Sequence, residues 1–182
     1  MIRKRNKTSK EITPTLVFNT FIYGMLATDT NKKEYDYNKY KRIWERRLNI
    51  DITKIEQILF PINKDNIHWI LCRVITNKNN PLVEIYDSLP NSNEAYMKNV
   101  AKVVSILLND AFANYGIKET WKWNKGVCPI QENGYDCGVC LCTNIEFLSR
   151  GQQPQYAGKD TAYFRKKIAI ELYKEEIISF NN

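Results

Sequence analysis

A single histidine occurs in the 182 residues, in Asn66-Ile67-His68-Trp69. Downstream come Tyr86-Asp87-Ser88 and then Gln131-Glu132-Asn133-Gly134-Tyr135-Asp136-Cys137-Gly138. An imidazole, a carboxylate, a side-chain amide and a thiol followed by glycine are the groups that acyl transfer through a thioester requires. His68, Asp87, Gln131 and Cys137 each fall where one expected element gives way to another, which is where a rigid scaffold presents its chemistry.

Two local arguments give these groups roles. His68 lies in a β-rich stretch, Ile67 to Ile75, and Asp87 closes another, Leu82 to Asp87, with the polar turn Thr76-Asn77-Lys78-Asn79-Asn80-Pro81 between them. Direct opposition of His68 and Asp87 needs a turn centred between Asn77 and Lys78, where the turn formers stand. Opposed residues share a face with Cβ atoms about 4.5–5.5 Å apart, so Asp87 can accept from one ring nitrogen and leave the other for a thiol. Cys137 follows a loop and opens a helix, where the macrodipole and a nearby imidazolium favour thiolate. Its backbone N–H has no intrahelical partner and is an oxyanion donor, and the Gln131 amide can supply a second. Gly138 permits close approach of a substrate or another backbone.

The elements that must position these residues follow from periodicity. Leu16 to Leu26 reads as one buried helical segment, Asp29 to Asp36 as a polar loop, and Tyr37 to Leu48 as a short helix with Tyr40, Ile43, Trp44 and Leu48 inward. Ile55 to Ile62 reads as a strand ending near Pro61. An amphipathic helix is expected from Ser92 to Tyr115, with Tyr96, Val100, Val103, Val104, Leu107, Leu108, Ala111 and Phe112 as its stripe and Gly116 as its stop. Glu119 to Asn124 alternates like a strand. Cys137 to Leu148 is apolar nearly all round, a buried central helix with Asp136 as N-cap. A last helix, Asp160 to Ile178, is expected to present Phe164, Ile168 and Leu172 to the core. Strands clustered mid-chain with helices on both sides define an α+β fold.

Each group also has a plainer use: His68 as a structural strand residue, Asp87 as a turn former, Cys140 and Cys142 as small core residues. Zinc bound by Cys128, Cys137, Cys140, Cys142 and His68 is a sharper rival. Cys-x2-Cys-x-Cys inside one apolar helix points its thiols in different directions, and paired knuckles are missing, so no metal and no cofactor is expected.

With 43% apolar residues the chain suits one domain, residues 14–182, behind a basic and flexible stretch, residues 1–13. Met1-Ile2-Arg3-Lys4-Arg5-Asn6-Lys7 reads as a solvated terminus or, alternatively, as a nuclear-targeting or anionic-surface patch. No apolar run approaches the ~18 residues of a membrane span, and the basic start is no signal peptide, so an intracellular protein is expected, in cytoplasm or nucleus, or in a host cell for a pathogen effector. Five cysteines, three of them between positions 137 and 142, do not make a secreted disulfide framework. The net charge of +7 favours acidic partners. No nucleic-acid motif is present, so neither specific nucleic-acid binding nor membrane association is expected, and the chain is expected to be a monomer.

These motifs resemble the ubiquitin-like-protein-specific cysteine proteases, the Ulp/SENP family, whose fold is shared with adenovirus protease. The likeness runs from about Val17 to Ile178. Val17-Phe18-Asn19-Thr20-Phe21-Ile22-Tyr23 is similar to the family's F-x-T-F-F-Y, and Arg42-Ile43-Trp44 stands near its R-W pair. Phe60-Pro61-Ile62-Asn63 with His68-Trp69 resembles P-I-x…H-W, and Tyr86-Asp87-Ser88-Leu89 matches Y-D-S-L. Pro129-Ile130-Gln131 through Asp136-Cys137-Gly138 matches P-x-Q-x-N-G-x-D-C-G, and Phe164-Arg165-Lys166-Lys167 resembles a closing F-R-x-K helix.

The resemblance implies a papain-like, adenain-like α+β fold: a central mixed sheet flanked by helices, with the catalytic cysteine at the N-terminus of a buried helix. It implies Cys137 as nucleophile, His68 as general base and acid, Asp87 as its orienter and Gln131 as oxyanion donor. Trp69 would cover a narrow channel for a Gly-Gly tail, and Trp69 and Gly138 are the expected substrate-binding residues. The implied activity is a thiol protease or isopeptidase releasing SUMO or a related modifier from conjugates or precursors. Its variants act on ubiquitin or Nedd8, or on Gly-Gly sites in a polyprotein. An acetyltransferase on the same triad and a non-catalytic modifier-binding module are the other readings. The family's opening W-L-N-D segment, whose Trp completes the clamp on the tail, has no counterpart between Met1 and Val17, so a divergent or shortened member, or a substitute surface, is expected.

Overall fold

The computed structural model describes residues 13–43, 45, 51–77, 79–91, 93–113 and 121–175. Five strands form one mixed sheet in sequence order: β1 (Thr15–Val17), β2 (Gln57–Lys64), β3 (His68–Ile75), β4 (Leu82–Tyr86) and β5 (Lys122–Lys125). The centre is antiparallel, while β1 joins β2 and β5 joins β4 in parallel. Five helices accompany it among the described residues: α1 (Phe21–Lys32), α2 (Tyr37–Arg42), α3 (Glu94–Phe112), α4 (Cys137–Ser149) and α5 (Thr161–Lys174).

Strand periodicity divides the core in two. Ile58, Phe60 and Ile62 of β2, with Ile70, Cys72 and Val74 of β3, pack on Ile22 and Leu26 of α1 and the Val100–Phe112 stripe of α3. Leu59, Leu71 and Tyr86 face the other way, onto Leu141, Ile145 and Leu148 of α4. The central strands are therefore covered on both faces, which is why they read as almost continuous apolar runs. A satisfied polar chain crosses the α4 face. Gln57 donates to Thr15 Oγ1 (2.8 Å) and to the Leu148 carbonyl (2.7 Å), accepts from Arg73 Nε (2.9 Å), and Arg73 pairs with Glu84 (3.1 Å).

Several expectations are corrected. Leu16 to Leu26 is not one helix: Leu16 pairs with Ile58 in β1, and Asn19 Oδ1 accepts from Phe21 N (3.0 Å) where α1 begins. Asp29 is not in a loop but inside α1, buried, with its carboxylate accepting from Tyr40 Oη and Lys39 Nζ, both at 2.6 Å, which pins α1 to α2. Strand β2 continues through Pro61 to Lys64. Because β1 pairs only with residues 57–59, Pro61 sits where β2 has a ladder on one side alone, so its missing N–H costs nothing there. Of α5, Phe164 is buried, but Leu172 is 64% exposed and Lys167 and Glu171 take the inward positions as an ion pair at 2.6 Å. Long α3 starts at Glu94, where Asn93 caps the Tyr96 N–H (3.0 Å). The basic residues 1–12, Trp44, Leu48, Ser92, Tyr115, the Gly116 stop and Ile178 lie outside the described residues.

Candidate active site

His68 is the first residue of β3 because the chain reverses immediately before it. Asp65 and Asn66 adopt left-handed backbone (φ 55° and 61°), which Asp and Asn tolerate, and Ile67 N donates to the Lys64 carbonyl (3.1 Å). Across the sheet, the pairing differs from direct opposition. Leu71 faces Tyr86 and Ile75 faces Leu82, so His68 and Asp87 are offset by two residues rather than level. An offset of two preserves the face, whereas one of one would invert it. Asp87 lies just past the end of β4, its side chain reaches diagonally, and His68 Nε2 meets Asp87 Oδ1 at 2.7 Å.

The pair is deeply placed, with 8% of His68 and 7% of Asp87 exposed, so water does little to screen it. A carboxylate partner fixes the hydrogen on Nε2 and leaves Nδ1 as the ring's other nitrogen. Asp87 is itself held: Oδ1 also accepts from Leu89 N (2.9 Å), and its carbonyl accepts from Cys128 Sγ (3.6 Å).

Gln131 is clamped to the next residue in both directions. Ser88 Oγ donates to Gln131 Oε1 (2.6 Å) and Gln131 N donates to the Ser88 carbonyl (2.9 Å). Its Nε2 donates to the Asn133 carbonyl, which uses one of the two amide hydrogens. Asn133 then organises the turn: its Oδ1 accepts from Tyr135 N and Asp136 N (3.0 Å each) and its Nδ2 donates to Asp136 Oδ2 (2.8 Å).

Helix α4 starts at Cys137, which is 6% exposed, and its ladder opens with Cys140 N donating to the Asp136 carbonyl (2.9 Å). The amides of the first turn are thus left without helical partners. Asp136 occupies the N-cap position, but its side chain makes no capping bond, contrary to expectation. The carboxylate turns instead to Asn133 and to Arg165 of α5. Hydrogen bonds from Thr161, Asn133 and Arg165, in that order, hold its carboxyl below the usual carboxylate range. Ser88, Asn133 and Arg165 were not singled out from sequence, although each lies inside a quoted motif, one residue from Asp87, between Gln131 and Cys137, and in the closing helix.

Helix α4 packs against β3, and Gly138 meets Trp69 there: a methyl group at 138 would stand 3.6 Å from Trp69 Cδ1. The residue after Cys137 therefore lies against the side chain of the residue after His68. The indole also borders an open cleft of about 600 Å³, whose other walls include Phe21, Gly24 and Met25 of α1 and Asn63 of β2. Among the described residues, no three His, Cys, Asp or Glu side chains group to hold a metal ion, and all five cysteines are unbridged. No described helix is long and apolar enough to cross a membrane.

Residues 1–178 match the model of the Ulp1 protease family, C-terminal catalytic domain, and the chain belongs to that family. It is 31% identical over 160 residues to a putative ubiquitin-like-specific protease 1B of Arabidopsis thaliana, covering 86% of this chain and 45% of that one. Against ubiquitin-like-specific protease 1 of Saccharomyces cerevisiae the identity is 30% over 155 residues, 85% of this chain and 23% of the relative. The chain therefore spans less than half the length of these curated relatives. The solved C-terminal Ulp1 protease domain in complex with Smt3, the yeast ortholog of SUMO, superposes with a TM-score of 0.76 at 25% identity, over 96% of this chain and 73% of that one.

Proposed function

We propose that this chain is a thiol protease or isopeptidase that cleaves after Gly-Gly at the C-terminus of a ubiquitin-like modifier, SUMO foremost, in conjugates or precursors. The observation that carries this is the buried 2.7 Å His68–Asp87 bond, formed next to Trp69, on which Gly138 of α4 packs. Family membership and the names of its relatives supply the substrate class.

In this reading Cys137 Sγ attacks the glycyl carbonyl while His68 Nδ1 takes the thiol proton, and Asp87 stabilises the imidazolium. The Cys137 N–H and the remaining Gln131 amide hydrogen receive the oxyanion. His68 then returns the proton to the leaving amine, and water, activated by the same imidazole, hydrolyses the thioester. Trp69 roofs the approach of the tail, and a side chain in place of glycine would collide with the indole. No cofactor takes part. A charge of +7 suits an acidic modifier surface, and five unbridged cysteines suit the reducing cytoplasm or nucleus.

The test is a panel of C-terminal fluorogenic reporters of SUMO, ubiquitin and Nedd8, with wild type and Cys137→Ala. Cleavage of the SUMO reporter by wild type alone is expected. A folded wild type that cleaves none of them overturns the reading, and binding without cleavage would leave a modifier-binding module.

A further inference from the structure

The three thiols of α4 do not converge on one point, but Cys137 shares its face of the helix with one of them a turn on, in Cys137-Gly138-Val139-Cys140. In an α-helix, residues three apart have Cα atoms about 5 Å apart, from a rise of about 4.5 Å and a 60° offset at about 2.3 Å radius. A disulfide accepts about 4.4–6.8 Å. Each Cα–Cβ bond tilts toward the helix N-terminus, so the Cys140 side chain is directed back over the first turn. As the first residue of α4, Cys137 has no preceding turn to restrict its χ1, and can rotate to meet it. Cys142 is excluded, since the same geometry puts its Cα about 8.6 Å from that of Cys137, beyond the roughly 7 Å reach. Cys128 also lies near Cys140, but its Sγ is engaged, donating to the Asp87 carbonyl at 3.6 Å.

We propose that Cys140 is a resolving thiol for Cys137, the pair closing into a reversible intrahelical disulfide when a hydroperoxide reaches the site. The inference rests on the reading of Cys137 as the reactive nucleophile. Exposure sets the order of events: 6% of Cys137 is open to a small oxidant, against 1% of Cys140. The Cys137 thiolate attacks a peroxide oxygen, an S–O bond forms, the O–O bond breaks, and hydroxide leaves and takes a proton as water. The Cys140 sulfur then attacks the sulfenic sulfur, an S–S bond forms, the S–O bond breaks, and the departing hydroxide takes the Cys140 proton as a second water. Two thiols and one peroxide give one disulfide and two waters, and a dithiol reductant reverses the change.

Burial pushes the Cys140 thiol up, while the Ser88 and Tyr156 hydroxyls beside it act the other way. At rest Cys140 therefore stays protonated and does not compete for substrate. It acts only on an electrophilic sulfur one turn away. Without it, a second peroxide would carry Cys137 on to the irreversible sulfinic acid.

The experiment treats the full chain with a small excess of hydrogen peroxide. It maps non-reduced peptides by mass and measures reporter cleavage before oxidation, after it, and after dithiothreitol. Wild type should lose about 2 Da as a 137–140 cross-link, and dithiothreitol should restore its activity. Cys140→Ala and Cys140→Ser should gain about 32 Da on Cys137 and stay inactive. Sulfinic acid on wild-type Cys137 at the rate seen in the variants, or a cross-link to Cys128, overturns the proposal. The wild-type peptide map decides even if both variants misfold. An untreated protein that cleaves no reporter fails the functional reading instead, and the cross-link is scored separately.

Discussion

Replacement of Asp87 by asparagine separates orientation from charge at this site. Asp87 Oδ1 receives two hydrogens, from His68 Nε2 at 2.7 Å and from Leu89 N at 2.9 Å. In Asp87→Asn the amide oxygen keeps that place, because turning the NH2 group inward would set it against the Leu89 N–H, donor to donor. The ring orientation and its tautomer survive, and what disappears is the negative charge opposite the imidazolium formed during turnover. For charge centres about 4 Å apart at an effective dielectric near 20, that attraction is about 4 kcal/mol. One decade of rate is about 1.36 kcal/mol, so kcat/KM should fall roughly 10³-fold. Asp87→Ala should lose more, since it also removes the orienting bond and leaves the Leu89 N–H unpaired, which costs about 1–3 kcal/mol. Reporter cleavage under kcat/KM conditions, with a thermal melt of each variant, measures both effects. Asp87→Asn within tenfold of wild type would show that the carboxylate does not support the imidazole in turnover. A melting temperature as low as that of Asp87→Ala would show that its oxygen does not keep the two hydrogen bonds.

Iodoacetamide at pH 7 should modify Cys137 ahead of exposed Cys142 and spare Cys72, Cys128 and Cys140, because burial pushes those three thiols up, Cys128 to about 11, and raises the Cys142 thiol as well despite its surface position. Peptide mapping checks the order, and first labelling at Cys142 contradicts it. Gly126→Ala should destabilise, since its Cβ would lie 2.7 Å from three ring carbons of Tyr86, itself 1% exposed. Overpacking of this kind costs about 1–3 kcal/mol, a fall in Tm of roughly 2–12 °C, whereas Gly134→Ala, with open space around its Cβ, should melt like wild type. Asp136 should add stability that is present above the ordinary carboxyl range near pH 4 and is lost as pH falls through its lower folded value, because Thr161, Asn133 and Arg165 favour the ionised form. Melts from pH 6 to pH 2 should therefore fall more steeply for wild type than for Asp136→Asn, and parallel curves would dismiss the effect.

The sequence carried the faces of the elements better than their offsets. Alternation in Ile70, Cys72 and Val74 marks one side of β3 and Leu71 the other, and the α3 stripe is buried nearly as its periodicity indicates, with Met97 and Ala101 added. Register is different. Pairings that differ by two residues bury the same faces, so hydrophobicity cannot distinguish level from diagonal placement of His68 and Asp87. Only the geometry of the 76–81 connection decides it, and a polar run of six residues encodes that weakly. Apolar pattern misled at α5, where Leu172 points outward while Lys167 and Glu171 bury one another. A lysine is seldom inside unless it is paired, and here its partner sits one turn along the same helix. Cys137, Gln131 and Asp87 stand out as candidates in the sequence because the chemistry proposed for them depends on residue type. Ser88, Asn133 and Arg165, which place them, carry no such signature.

Those three residues explain how distant parts of the chain can be held in a common frame. From His68 the hydrogen bonds run to Asp87. The chain then passes to Ser88, whose hydroxyl reaches Gln131; Gln131 reaches Asn133, Asn133 reaches Asp136, and Asp136 reaches Arg165 on α5. Cys137 is the next residue after Asp136, so the start of α4 is tied to His68 by side chains as well as by the packing of Gly138 on Trp69. Apolar contacts alone would fix α4 against the sheet but permit it to slide along its axis, because neighbouring Leu and Ile side chains accept small displacements at little cost. Directional bonds do not, since their strength falls steeply once donor and acceptor misalign. The polar path therefore supplies what the core cannot: a setting of the helix start along its own axis, which is the coordinate on which, in the proposed mechanism, the approach of the Cys137 sulfur to the imidazole depends.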